Sequence, residues 1–452
     1  MKFSQFDRYA RYLTGAALLI ALLTYWRFRG LDLSAAYAYV AQGDVIRSIL
    51  FRNMQPTRSI VWDFFGLIDR LVTPHSVNLL RGVGLVLMVL DLYLLSKLVD
   101  YILGQKFWGF LSVFLVALSP FAVSAAVAGG PEAVAVTLTL LFLMALYRNQ
   151  YIYAGLLAGI CFAASLPGLI MFLIALLDLL QNFQDRKKMV PRLLTTAASF
   201  FGVILLVYLY SLYSGSAMPF SIPVGGQEPV WSFTGVLPLY VANVINLAGI
   251  AYLIMKRRYD VYRTHFHAIM LWITTGALCI AQPSTLNLLV ALVVSIVLSV
   301  FFLQGFSALW KSGIIPADTI VFLFIVLFLF GDLYANNRFL KDEVLEDSYQ
   351  KSEAVGDVLE AVAGSGNNAR LVSNFVPAEL SVKLERQVYA AGEDMLPVAS
   401  LESAASSTIY VARRESKVDT LTAGCRILLS TSFYESGKTY FVQVAECGEK
   451  NE

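Results

Sequence analysis

Apolar residues recur along this chain in blocks of bilayer-crossing length, separated by short polar connections, until about residue 334, where the pattern changes. A helix needs about 20 apolar residues to cross about 30 Å of hydrocarbon. On that measure the pattern predicts helices near 12–26, 79–103, 107–127, 131–147, 151–166, 167–181, 193–213, 236–255, 265–282, 285–306 and 317–334. That makes about eleven spans. Pro167-Gly168 divides the stretch 151–181 into two short halves, and the basic residues at both of its ends favour a tight hairpin over one long span. Pro120 and Pro131 punctuate the third and fourth segments in the same way.

Beyond residue 334 charged and polar residues return. Leu340 to Ala363 reads as an amphipathic helix that ends at Gly364-Ser365-Gly366. Short β-branched and aromatic runs follow from Arg370, Gln387 and Thr408, then at Arg426–Ser432 and Lys438–Ala445, and these read as strands. The expected architecture is therefore a polytopic α-helical membrane domain, 1–334, followed by a small extracytoplasmic α/β domain, 335–452.

Composition leaves little room for another class: 58% of the 452 residues are hydrophobic and 15% charged, with mean hydropathy +0.66. A soluble domain has nowhere to hide that much apolar surface. The formal net charge is only +2, which does not suggest nucleic acid as a partner, so the basic residues matter through their positions. Lys2, Arg8 and Arg11, then Lys106, Arg148, Arg186-Lys187-Lys188, Lys256-Arg257-Arg258 and Lys311 fall in alternate connections, and the positive-inside rule puts these in the cytoplasm. The connections at Gly129-Gly130-Pro131-Glu132, from Ser214 to Pro238 and at Gln282-Pro283-Ser284 lack Lys and Arg and fall outside. Tyr25-Trp26-Arg27 follows the first segment where signal processing would need small residues, so that segment is expected to stay as an anchor. An odd number of spans then places the C-terminal domain on the outer side.

Cysteine usage supports this sidedness. Cys161 and Cys279 sit inside apolar segments, as small buried hydrophobes do. Cys425 and Cys447 bracket the terminal hairpin, whose turn at Glu435-Ser436-Gly437 lies midway between them. Their sulfurs are expected to meet in a disulfide, which implies an oxidising compartment.

The loop 27–78 breaks the pattern of short early connections and keeps Arg27, Arg29, Arg47, Arg52, Arg58 and Arg70 on the outer side, where anionic ligands or lipid headgroups are their natural partners. Leu31-Asp32-Leu33-Ser34 opens a helix-like run that stops at Gly43, with Asp44 next to it. Asp32 there either accepts a proton from an incoming nucleophile or, like Ser34, caps that helix. Pro56 to Leu71 reads as an interfacial helix; its Arg58 and Arg70 either hold a phosphate or snorkel to ordinary headgroups, and Asp63 reads as part of a solvated face. Asp91, mid-way along the second span, is either functional or a protonated acid bonded to a neighbouring helix. His265 and His267, beside a cytoplasmic connection, read as a satisfied interfacial pair rather than a metal site. The segment 214–238, rich in proline and glycine, either caps a cleft above the bilayer or merely connects two spans. No internal repeat of the transporter kind and no Walker, dinucleotide, HExxH or CxxC motif is present.

In order, these elements resemble the GT-C superfamily of integral membrane glycosyltransferases, of the dolichyl-phosphate-mannose and aminoarabinose transferase kind. The resemblance covers most of the chain: a short tail, one span, a long outer loop with two juxtamembrane helices, and an arginine at the opening of the second span, Asn78-Leu79-Leu80-Arg81. Ala117-Leu118-Ser119-Pro120 is similar to the family's "LSP", and Ala154 to Gly159 to its glycine-rich hairpin opening. Leu371 to Asn374 and Val382 to Tyr389 are similar to its strand, helix and "R-x-V-Y" pattern.

The resemblance implies sugar transfer from a polyprenyl-phosphate carrier to a lipid, glycan or protein acceptor at the outer face of the membrane; a compact chain with no evident eukaryotic targeting signal and an outer disulfide candidate points to a bacterial inner membrane. The resemblance also implies Asp32 as the acid of the first outer loop, and Arg58, Arg52 and Arg81 as donor-phosphate ligands. The family's frequent acid pair is absent, since Leu31 and Leu33 flank Asp32, and its His-Pro-Pro is represented by Met54-Gln55-Pro56-Thr57. Glu132 or Asp44 would then supply a second carboxylate, although for Glu132 a helix N-terminal acid after Pro131 is the ordinary account. No cofactor is expected; arginine stabilises phosphate without a metal, and a divalent cation is left open without support from any motif. The alternatives are a non-catalytic protein of the same architecture that binds lipid carriers or scaffolds an assembly, and a transporter.

Overall fold

The computed structural model describes residues 9–29, 68–69, 71–72, 77–128, 132–164, 167–182, 186–214, 233–281, 284–309, 317–364, 369–385, 388–390, 408–415, 425–435 and 438–447. The helical part runs through α1 (Ala10–Arg27), α2 (Asn78–Leu103), α3 (Lys106–Ala117), α4 (Pro120–Ala128), α5 (Glu132–Tyr147), α6 (Tyr151–Ala164) and α7 (Pro167–Asn182). It continues through α8 (Arg186–Ser214), α9 (Phe233–Met255), α10 (Tyr259–Thr264), α11 (Phe266–Ala281), α12 (Thr285–Leu309) and α13 (Ala317–Ala335). Among the described residues, each stretch that the apolar pattern marks as a span is helical except for the break at Leu118-Ser119. Among the described residues, five helices are long and apolar enough to cross a membrane, and six if the bent pair α3 and α4 counts as one. The helices α5, α6, α7 and α11 are apolar but shorter, within 10–17 residues.

The third expected span is two helices meeting at 69°. Pro120 disfavours a helical Ser119 and cannot donate its own backbone N–H, so the helix stops. The Ser119 hydroxyl then accepts the Ala122 N–H at 3.2 Å and starts α4. The apolar stretch 151–181 is a hairpin: the Tyr151 hydroxyl, at the start of α6, donates to Asp178 Oδ2 near the end of α7 at 2.9 Å. Gly168 is required there, because a side chain would run into the backbone of Phe162.

The most enclosed helix is α12, 89% of whose span is buried. It is fastened to α9 by polar groups: Asn246 Nδ2 donates to the Ser295 carbonyl at 3.0 Å, and Ser299 Oγ to Asn246 Oδ1 at 3.0 Å. In an apolar surround such bonds fix register between helices. By contrast α8 is peripheral, 11% buried, and presents Leu194, Phe201, Leu205, Leu206 and Leu209 outward as a lipid-facing stripe.

The chain does not break where the apolar pattern ends. From α13 it passes through a π-helical stretch, Asn336–Leu345, straight into α14 (Glu346–Ala363). No proline interrupts residues 317–363, so the boundary expected at 334/335 falls inside a continuous helix.

The final domain packs α14 and α15 (Pro377–Leu384) with β1 (Arg370–Ser373), β2 (Val388–Ala390), β3 (Thr408–Arg414), β4 (Cys425–Glu435) and β5 (Lys438–Cys447). The sheet order is β2-β1-β3-β5-β4, with β1 parallel to β2 and β3, and β5 antiparallel to β3 and β4. Val355, Val358 and Val362 of α14 bury against Leu371, Ile409, Phe433, Val442 and Val444. Glu435 joins the buried Lys351 of α14, at 3.2 Å, to Arg413 of β3 at 2.5 Å. Arg413 also stacks over Tyr440 at 3.8 Å. Cys425 and Cys447 are register partners joined by a disulfide.

Replacing both Cys425 and Cys447 with Ala is expected to lower the stability of this domain by about 3 kcal/mol. Thermal unfolding with and without reductant checks it: the reductant should lower the transition of the native chain and leave that of the variant where it is.

Candidate active site

Asp32, Asp44, Arg52 and Arg58 lie outside the described residues. The structure does describe the end of the helical bundle from which their loop departs and to which it returns. At the end of α1 the Arg29 guanidinium sits over the Trp26 ring, 4.5 Å from its centroid, and Arg27 is 5.7 Å from the Phe28 ring. Arg81, in the first turn of α2, donates through Nη2 to the Arg29 carbonyl, so the two ends of the loop are tied side by side. Asp69 completes the junction. Fully buried, it accepts the Leu79 N–H at 3.1 Å on Oδ1 and the Leu80 N–H at 2.9 Å on Oδ2. The free amide groups of a helix start, with their partial positive charge, are what a carboxylate satisfies best. A capping acid normally stands beside its helix; this one arrives from ten residues upstream.

Below that junction lies a second group. Asp91 is 1% exposed, and its Oδ1 accepts a bond from Thr137 Oγ1 on α5. Its Oδ2 has no hydrogen-bond partner, and neither has the buried Tyr25 hydroxyl of α1, which lies within electrostatic reach of Asp91. Thr137 is about 8 Å along α5 from Glu132, whereas Asp91 is about 20 Å along α2 from Asn78. Asp91 therefore stands near the loop end of α1 and α5, several turns along α2 from its start. The bond from Thr137 ties Asp91 to a neighbouring helix. Glu132 is half-buried at the start of α5, on the same end of the bundle as Asp91 and Arg81.

A third polar group surrounds the break in the third span. Asn336 Nδ2 donates to the Leu118 carbonyl at 2.6 Å, one of the carbonyls left without a helical partner by the bend. One turn earlier on α13, the fully buried Asp332 has no hydrogen-bond partner on either oxygen. The π-helical stretch begins at Asn336 itself, and such stretches recur at functional sites. Asp332 was not singled out by the sequence pattern; an acid within an otherwise apolar run was the available signal. Asp69 gave no such signal, because its role depends on where a loop folds back. Among the described residues no three His, Cys, Asp or Glu side chains converge as a metal set.

No protein-family model matches the chain, and no curated protein matches it. A solved structure does: ArnT from Cupriavidus metallidurans in the apo state, with a TM-score of 0.59 at 12% identity over 96% of this chain and 98% of that one. The chain has a GT-C-like fold. The match runs through both the helical bundle and the final sheet, so the GT-C likeness extends to the order of the two parts.

Replacing Asp69 with Ala strands two buried amide groups at the start of α2 and is expected to cost about 1–2 kcal/mol, with Asn recovering part of it. Thermal denaturation of the three purified chains in one detergent checks it; equal transition temperatures for native, Asn and Ala chains would contradict the capping role.

Proposed function

We propose that the protein is a membrane glycosyltransferase that moves a sugar from a polyprenyl-phosphate donor to an acceptor on the outer face of a bacterial inner membrane. The observation that carries this reading is the full-length likeness to ArnT, an aminoarabinose transferase of the GT-C type. The geometry supports it at one place, the loop end of the bundle, where arginines, a clipped loop and buried carboxyl groups come together below the returning chain. In this reading Asp32 is the general base that takes a proton from the acceptor as it attacks the anomeric carbon, and polyprenyl phosphate leaves. Arg58, Arg52 and Arg81 stabilise the departing phosphate, a role arginine performs without metal. Arg81 enters it from a fixed position, since its contact with the Arg29 carbonyl holds it at the mouth of the bundle. Glu132 and Asp44 are the candidate second carboxylates. The polyprenyl chain lies against the apolar helix faces. The N-terminus is cytoplasmic and the disulfide-bearing domain periplasmic.

The alternative is a non-catalytic protein of this architecture that binds lipid carriers or supports an assembly. What favours it is the absence of the family's acid pair: Asp32 stands between two leucines. The substitution Asp32→Asn separates the two. With a panel of polyprenyl-phosphate-linked sugars and envelope extract as acceptor, release of free polyprenyl phosphate is expected to fall about 100-fold or more, the range of general-base contributions. Donor binding should stay within a factor of about two, since the phosphate ligands are untouched. Unchanged turnover removes Asp32 as the base, and no turnover by the native chain with any donor favours the non-catalytic reading.

A further inference from the structure

The opposite end of the bundle holds a cavity that the transferase reading does not use. It measures ≈530 Å³, and its lining includes Tyr147, Asn149, Asn182, Arg192, Thr264 and His267. Tyr147 closes α5, about 22 Å along that helix from Glu132, so this cavity and the loop end lie on opposite sides of the bundle. The lining comes from the turn between α5 and α6, the end of α7, the first turns of α8 and the junction of α10 and α11.

One side chain in it is set up with care. Asp178 Oδ2 accepts the Tyr151 hydroxyl at 2.9 Å and Asn182 Nδ2 at 3.1 Å, while Oδ1 faces His267 Nδ1 at 3.1 Å. The contact with Asp178 occupies Nδ1 and leaves Nε2 as the remaining site of the ring. His267 is 3% exposed, and Nε2 has no hydrogen-bond partner in the protein. The neighbouring His265 is different: its Nδ1 is bonded to the Tyr147 hydroxyl at 2.9 Å, and its ring packs on Phe301. His265 is the satisfied histidine expected from the sequence, whereas His267 is half of a dyad with Asp178 and is among the residues that line the cavity.

The other walls are polar or cationic. Arg192 lies within electrostatic reach of Tyr151 and reaches the same cavity. Arg263 donates to the Gln181 carbonyl at 2.7 Å and fixes α10 against the end of α7. The exposed Leu177, Leu180, Val190 and Leu194 on α7 and α8 continue from this end as apolar surface.

We propose that this cavity binds a phosphate ester that carries a hydroxyl close to its phosphate. Arg192 pairs with the phosphate, the hydroxyl donates to His267 Nε2, and the amides of Asn149 and Asn182 with the Thr264 hydroxyl complete the site. A soluble glycerol or sugar phosphate and the headgroup of an anionic phospholipid share this chemistry. The proposal does not rest on the transferase reading.

The chain has only three histidines, which makes the test direct. The full chain, labelled with ¹⁵N at histidine, is placed in phosphatidylcholine nanodiscs and its ring nitrogens are observed by NMR, with His267→Gln assigning the signal. Glycerol 3-phosphate is expected to move the His267 Nε2 resonance in a saturable way while His265 stays in place. If only exchange of part of the phosphatidylcholine for phosphatidylglycerol moves it, the source is the bilayer, and the proposal stands. Arg192→Gln should weaken the response about 10-fold, as loss of a charge-assisted bond does. Glycerol alone, which has hydroxyls and no phosphate, needs no variant and should have no effect. A His267 resonance indifferent to both phosphate esters, or moved equally by glycerol, overturns the proposal.

Discussion

Inside an apolar bundle there is no water to satisfy a polar group, so each backbone or side-chain donor and acceptor has to find its partner in the protein. Most of the architecture follows from that demand. Ser119 starts a helix where proline has stopped one, Asn336 answers a carbonyl freed by the same bend, and Asn246 with Ser295 and Ser299 locks α9 to α12. The groups left without a partner are correspondingly informative. Among the described residues, the Tyr25 hydroxyl and Asp91 Oδ2 lie near the loop end of α1 and α5, both carboxyl oxygens of Asp332 beside the broken span, and Nε2 of His267, a cavity-lining residue, at the far end. Two of these places lie where the fold itself is irregular, which is where an apolar bundle can admit a ligand.

The same demand explains how the long loop is attached. An uncapped α2 would leave its first amide groups buried without acceptors, and Asp69 answers two of them from the returning loop. Together with the Arg81 contact to Arg29, this fixes where the chain leaves the bundle and where it comes back. The final domain is joined differently, by the unbroken helix from α13 through the π-helical stretch to α14. Within the domain, the disulfide and the Glu435 ion pairs supply a cohesion of its own.

Much of the fold was legible because its causes are local. Apolar run length marks each helix, as with α2 and α12, whose ends fall within three residues or fewer of the apolar blocks at 79–103 and 285–306. Pro167-Gly168 marked a hairpin, and the placing of Cys425 and Cys447 about one turn gave their register. The break at Leu118-Ser119 was less legible: Pro120 was visible, but a proline alone does not separate a kink from a stop. The π-helical stretch carried no sequence signal at all. The candidate site divides along the same line. Asp91 could be named because it interrupts an apolar span, and Arg81 and Glu132 through the family resemblance, whereas the Asp178–His267 dyad joins residues 89 apart, which no local pattern reports.

The central claim is that a polyprenyl phosphate is handled at the loop end of this bundle. A polyprenyl phosphate bearing a photoreactive group near its phosphate, incorporated with the full chain in nanodiscs and mapped by peptide mass spectrometry, tests it most directly. The account predicts adducts on the end of α1, the start of α2 and the first turns of α5, suppressed by unlabelled polyprenyl phosphate and not by polyprenol. Adducts confined to the opposite end of the bundle, or suppressed equally by polyprenol, would contradict it.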